Sequence, residues 1–394
     1  MVRKNFVKFF SILTAIVLLS AGSANAAGVN LIGGGATFAN PILDACKAEY
    51  ARESGNSYIY NSLGSGAGRS GIDKGDFDFG WSDTPHLGTS APAGMMHLPV
   101  VAAPVAIMYN LPGVTKQLNL SATTIAKIFS RTITMWNDPA IKADNNRVVK
   151  TPIFETVKTK VTIDGKVSYT EVVKKDAKSN PIVKRYTSQR EAISLPKTAI
   201  TVVYRNDSSG TSGIFTNYLA ATAPTVWTKK GNNDFPSSFP GNINDVSNLG
   251  KIQGAKGSEL TTALVAKIVG SITYAEKDYA TKNKLPVAKL FNNADIAVAP
   301  GAAGVSAFLS GATFNPNGTL TLDYATLSPV AYPLGSTSYA LVLTKYKDAA
   351  KGAAVKNLMT YILDKCAAKF PATEFAVIDG GLYDFNKSLI AKIS

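Results

Sequence analysis

Three times in this chain a short apolar, β-like run breaks into a loop of glycine and small hydroxyl residues that opens directly into a helical segment. Residues 29–32 lead into Gly33-Gly34-Gly35-Ala36-Thr37-Phe38 and a helix-like stretch over 41–52. That stretch has Ile42, Ala45, Cys46 and Tyr50 at helical spacing and Pro41 suited to its first turn. Residues 57–61 lead into Leu63-Gly64-Ser65-Gly66-Ala67-Gly68-Arg69. Residues 200–204 lead into Arg205-Asn206-Asp207-Ser208-Ser209-Gly210-Thr211-Ser212-Gly213 and a helical run over 214–222. A single glycine loop is ordinarily just a tight turn. Three at strand-to-helix junctions predict an α/β architecture whose ligand sits at the carboxyl ends of the strands.

The chemistry of the third loop is that of an anion cradle. A helix N-terminus presents free N–H groups and the positive end of its dipole. Ser209 and Thr211 add hydroxyls, and Arg205 adds a planar charged fork that matches a tetrahedral oxyanion. Other chemistries lack their residues. No G-x-S-x-G and no P-loop occur. The only histidines, His86 and His97, stand apart and read as surface or loop residues, so neither a metal site nor a cofactor is expected. The formal charge of +14 favours anionic partners, but no tight Lys/Arg cluster with interleaved aromatics points to nucleic acid.

Basic residues Arg3, Lys4 and Lys8, an apolar run over 9–19 and small residues up to Ala24-Asn25-Ala26 predict a cleaved export leader over 1–26. The remaining chain is expected to be periplasmic, or extracellular. Its length suits two domains. The apolar stretches 98–110 and 336–343 read as buried strands that cross from one domain to the other and back. The division expected is 27–105 with 332–394 in one lobe and 106–331 in the second. Within the second, alternating residues around Asp164-Gly165 predict a β-hairpin inside a basic insertion over 150–197, followed by a polar, solvated loop through Lys174, Lys175, Lys178, Lys184 and Arg185. Ser121 reads as the N-cap of a helix ending near Phe129, and 351–365 as the last long helix. Cys46 and Cys366 fit either a disulfide in an oxidising compartment or two separate buried thiols.

Several of these motifs, taken with others along the chain, resemble one family. They are Gly35-Ala36-Thr37-Phe38, Gly64-Ser65-Gly66, Phe79-Gly80-Trp81-Ser82-Asp83, Trp136-Asn137-Asp138, the segment from Arg205 to Ser212, Gly270-Ser271-Ile272-Thr273-Tyr274 and Tyr332-Pro333-Leu334. In this order they resemble the periplasmic phosphate-binding proteins of bacterial phosphate ABC transporters. The resemblance implies a two-lobed, type II periplasmic-binding-protein fold with two hinge crossovers, and a monomer that binds inorganic phosphate in the cleft and delivers it to a membrane permease without catalysis. It also implies roles. Thr37, Phe38, Ser65, Ser209, Gly210 and Thr211 donate to phosphate, Arg205 pairs with it and is held by Asp207, and Asp83 accepts the phosphate's own proton. Residues 66–69 and the 150–197 insertion depart from the family pattern, and the insertion motivates an alternative, a surface adhesin or scaffold built on the same fold.

Overall fold

The computed structural model describes residues 28–163, 166–176, 181–370 and 374–394; the expected leader and the Asp164-Gly165 turn lie outside the described residues. Eight strands form one continuous sheet. In chain order they are β1 (Asn30–Gly35), β2 (Ser57–Ser62), β3 (Phe79–Ser82), β4 (Met95–Tyr109), β5 (Thr201–Arg205), β6 (Ile252–Ala255), β7 (Ser271–Glu276) and β8 (Gly335–Leu343). Across the sheet the order is β6-β5-β7-β4-β8-β3-β1-β2. In one lobe β1 pairs in parallel with β2 and β3, and in the other β5 pairs in parallel with β6 and β7. Each lobe takes its fourth strand from a crossing: β8 runs antiparallel to β3, and β4 runs antiparallel to β7. This is the two-lobed arrangement that the resemblance implied.

The crossing strands explain their own composition. Met95–Pro104 of β4 pairs with β8, and Val105–Tyr109 pairs with β7, so β4 is covered along nearly its whole length and reads as an apolar run. Where β4 changes partner, the Val105 N–H donates to Leu334 O at 3.0 Å and the Tyr332 hydroxyl donates to Val105 O at 2.9 Å. The two crossings are therefore tied together at the hinge.

Four helices begin at the sheet's carboxyl ends: α1 (Asn40–Ser54), α2 (Ser65–Lys74), α3 (Gly210–Thr222) and α4 (Gly257–Lys267). Helix α2 lies so close to β1 that a Cβ on either Gly35 or Gly68 would sit 2.1 Å from Trp81 O. Only glycine permits that approach, and it brings Ser65 to the end of β3. In the other lobe Phe215 of α3 stacks on Tyr274 of β7 with ring centroids 4.2 Å apart. The stack aims the Tyr274 hydroxyl at Ser212 Oγ, 2.7 Å away, at the start of α3.

The basic insertion holds more regular structure than its sequence suggests. The hairpin forms between Thr156–Ile163 and Lys166–Val173. The segment expected to be a solvated loop instead contributes a strand, Val183–Arg190, paired antiparallel with Val148–Phe154. Its apolar residues are too few to mark it as a strand, because both of its faces are largely exposed. The helix expected to be last, Ala349–Tyr361, continues as a wider turn over Ile362–Cys366 and is followed by another helix, Gly380–Ile390. Cys366 in that turn is joined to Cys46 of α1 in a disulfide, with Cα atoms 5.8 Å apart. Among the described residues, no helix is long and apolar enough to cross a membrane.

The reading of both histidines as surface or loop residues is corrected in part: His86 lies in the loop after β3 and His97 within β4, and both are buried. His97 Nε2 accepts the His86 N–H at 2.8 Å, so its proton sits on Nδ1, which donates to Asn317 O at 3.1 Å. Burial holds the His97 pKa down, from 6.5 to about 4. The folded protein thus binds fewer protons than the unfolded chain between those values, and this stability is complete above pH 6.5 and is lost as pH falls through about 4. The difference corresponds to about 3 kcal/mol. Urea unfolding at pH 7 and at mildly acidic pH should show that His97→Gln loses less stability on acidification than the parent protein.

Candidate functional site

The four helix N-termini converge on one point between the lobes, and Arg205, the last residue of β5, lies at its centre, 1% exposed. Four of its five N–H donors are engaged. Nε and Nη2 donate to the two carboxylate oxygens of Asp207 at 2.7 and 2.5 Å, and Nη1 donates to Thr37 Oγ1 and Ser258 Oγ, each at 3.0 Å. Burial works to raise the Asp207 pKa, but the Arg205 hydrogen bonds and charge overcome it and hold the carboxyl below its usual value. Asp207 also accepts the Gly257 N–H at 3.1 Å and so caps α4.

The opposite wall is built on Asp83, immediately after β3 and buried. Ser338 of β8 donates to Oδ1, while Oδ2 has longer contacts, Ser65 Oγ at 3.3 Å and Thr211 Oγ1 at 3.4 Å. The Asp83 N–H donates to Ser65 Oγ at 3.1 Å. Burial, and next the charge of Glu276, push the Asp83 carboxyl up to about 7, against the pull of Ser338, Arg205 and Ser65. This carboxyl is thus poised to share a proton near neutral pH.

All the residues singled out in the sequence lie at this junction, in unequal ways. Thr37, Arg205 and Asp207 form one hydrogen-bonded group and Ser65, Asp83 and Thr211 another, and the two are joined through Ser258 and Glu276. Gly210 and Thr211 hold the first turn of α3, whose N–H groups lack intrahelical partners. Ser209 is the N-cap: its hydroxyl oxygen accepts the Ser212 N–H and its own N–H donates to Asn233 O, so only its hydroxyl proton is left. The Phe38 side chain belongs to the core, and only its backbone can reach the junction.

Three site residues were missed. Ser258 starts α4 after β6, a fourth strand–glycine–helix unit legible in Gly257-Ser258. Glu276 ends the buried strand β7 and is 0% exposed. Its Oε1 accepts from Thr211 Oγ1 at 2.7 Å and its Oε2 from Ser258 Oγ at 2.8 Å. Ser338 comes from the hydroxyl-rich start of β8. The signal for Ser258 was the glycine that opens α4, whereas Glu276 and Ser338 are polar residues at the end of, or within, a buried strand that no local motif marks.

The two walls meet directly. Besides the Arg205–Thr37 and Thr211–Asp83 contacts, the Gly66 N–H donates to Ser208 O at 2.9 Å, Thr84 Oγ1 to Asn233 Oδ1 at 2.9 Å and the Tyr279 hydroxyl to Thr37 O at 2.8 Å. The structure is the closed form of the two lobes.

A family model described as a PBP superfamily domain matches residues 20–365. The chain is 33% identical over 320 residues to the phosphate-binding protein PstS 3 of Mycobacterium leprae, covering 77% of this chain and 70% of that protein. It is 30% identical over 328 residues to the phosphate-binding protein PstS of Xylella fastidiosa, covering 82% and 74%. Its fold is similar to that of PfluDING, a high-affinity periplasmic phosphate-binding protein solved with phosphate bound. The TM-score is 0.64 at 20% identity, over 92% of this chain and 93% of the other.

Proposed function

The chain belongs to the phosphate-binding proteins of the PBP superfamily, and we propose that it binds inorganic phosphate between its lobes in the periplasm and hands it, as a monomer, to an ABC permease. The observation that carries this reading is the pairing of one fully buried arginine with one buried, proton-poised carboxylate on facing lobes. Arg205 supplies the positive charge for an oxyanion. The α3 and α4 N-termini add N–H groups and dipole. Asp83 faces the same volume with an acceptor, which suits an oxyanion that still carries a proton and opposes one that carries none.

Nothing in this arrangement requires a chemical step. Closure around the ion is itself the signal: a permease that selects the closed form takes up only loaded protein. Relatives are substrate-binding proteins, and the same role is proposed here in place of catalysis. The exposed basic arm stands away from the junction and has no part in this reading.

Titration calorimetry with phosphate and with sulfate tests it. The protein should bind phosphate and exclude sulfate. In Asp83→Asn the carboxylate is replaced by a group that donates, and sulfate affinity should rise by about 100-fold while phosphate binding persists. Absence of phosphate binding in the parent protein would overturn the assignment.

A further inference from the structure

Hydrogen-bond directions around Glu276 carry a second specificity element, which rests on the phosphate reading. A hydroxyl has one proton to give. Thr211 Oγ1 lies 2.7 Å from Glu276 Oε1 and 3.4 Å from Asp83 Oδ2, so its proton goes to Glu276. Ser258 lies 2.8 Å from Glu276 Oε2 while accepting from Arg205, so its proton goes to Glu276 as well. With both protons committed, Thr211 turns only lone pairs toward Asp83. When Asp83 is ionised, two acceptor oxygens then face one another, and a proton from a third party is needed to join them. Thr37 also accepts from Arg205, and with the Ser258 proton committed to Glu276 its own hydroxyl proton is directed at Ser258 Oγ, 3.1 Å away.

We propose that Glu276 is a specificity-determining positioning residue. By holding the hydroxyl protons of Thr211 and Ser258 it makes Thr211 an acceptor beside Asp83, so that this face of the site takes oxyanions that carry protons. Discrimination against a fully ionised oxyanion then comes from two atoms, Asp83 Oδ2 and Thr211 Oγ1. Burial pushes the Glu276 carboxyl up, and the Thr211 and Ser258 hydroxyls and the Arg205 charge oppose that shift. Its other acidic neighbours are Asp83 and Asp278, and Tyr279 also lies within its field.

The test is the ratio of sulfate to phosphate affinity, measured at slightly alkaline pH by competition against labelled phosphate. The proteins compared are the full-length parent, Glu276→Gln, Thr211→Val and the double variant. Glutamine is isosteric and donates through Nε2, which returns a proton to one of the hydroxyls. Glu276→Gln should shift the ratio about tenfold toward sulfate. The shift should vanish in the Thr211→Val background, because Glu276 acts through that hydroxyl. Thr211→Val alone should lower phosphate affinity more than sulfate affinity, which tests the acceptor role even if Glu276→Gln folds poorly. An unchanged ratio in Glu276→Gln, a shift that persists undiminished without the Thr211 hydroxyl, or an equal loss of both anions in Thr211→Val overturns the proposal. Failure of the parent protein to bind phosphate overturns the underlying reading instead.

Discussion

Arg205→Ala is expected to lower phosphate affinity by about 1,000-fold, the largest loss from any single side chain at the junction. Truncating one member of a buried, hydrogen-bonded charge pair costs roughly 2–5 kcal/mol, and each 1.4 kcal/mol is a factor of ten. Two effects add here. The ligand loses the only fully buried arginine or lysine among the described residues, and Asp207 keeps its negative charge beside the ion without the two bonds that neutralised it. Lysine restores a charge but not the fork that reaches Asp207, Thr37 and Ser258 together, so Arg205→Lys should recover only part of the loss. Isothermal titration of the three proteins gives the comparison. Affinity in Arg205→Ala within tenfold of the parent would remove Arg205 from the center of the site.

Gly210→Ala is expected to separate folding from closure. An added Cβ would lie 2.3 Å from Ser65 Oγ, 2.6 Å from Asp83 Cβ and 2.8 Å from the Asp83 backbone N, all on the opposite lobe. Two of those three atoms are not the free end of a flexible side chain and cannot step aside. Within its own lobe Gly210 merely starts α3, where alanine is the better helix former by about 0.5–1 kcal/mol. The variant should therefore melt no lower than the parent in the absence of ligand. Its phosphate affinity should fall by about 100-fold, since closing forces the backbones apart. X-ray scattering should show the parent contracting on adding phosphate and the variant remaining extended. Contraction of the variant to the same radius would show that closure tolerates the methyl group.

What the sequence revealed and what it hid follow from the range of the interactions involved. The fold was legible because β1, β2 and β5 each end in a glycine or hydroxyl loop that opens a helix, and because β4 and the second half of β8 are apolar on both faces. Those are local patterns. Thr37, Ser65, Arg205 and Thr211 were legible for the same reason, lying in or beside the loops that join a strand to a helix. Glu276 was not, because nothing within a few residues marks it: its partners, Thr211 and Ser258, lie 65 and 18 positions away. The histidines failed similarly, since His97 is buried by Asn317, 220 positions on. The strand Val183–Arg190 was hidden for a different reason, having no buried face to impose a period of two.

The order of strands across the sheet also dictates an order of assembly. Everything that β5, β6 and β7 pair with in the main sheet lies between residues 105 and 276, so that lobe can close its part of the sheet while the last hundred residues are still being made. Strands β1, β2 and β3 are synthesised first, yet the free edge of β3 finds its neighbour only when β8 emerges. The Cys46–Cys366 link, spanning 320 positions, comes later still. The oldest part of the chain is thus the last to be finished, and it carries an unpaired strand edge through most of synthesis. That interval is where the growing chain is most open to pairing with its neighbours.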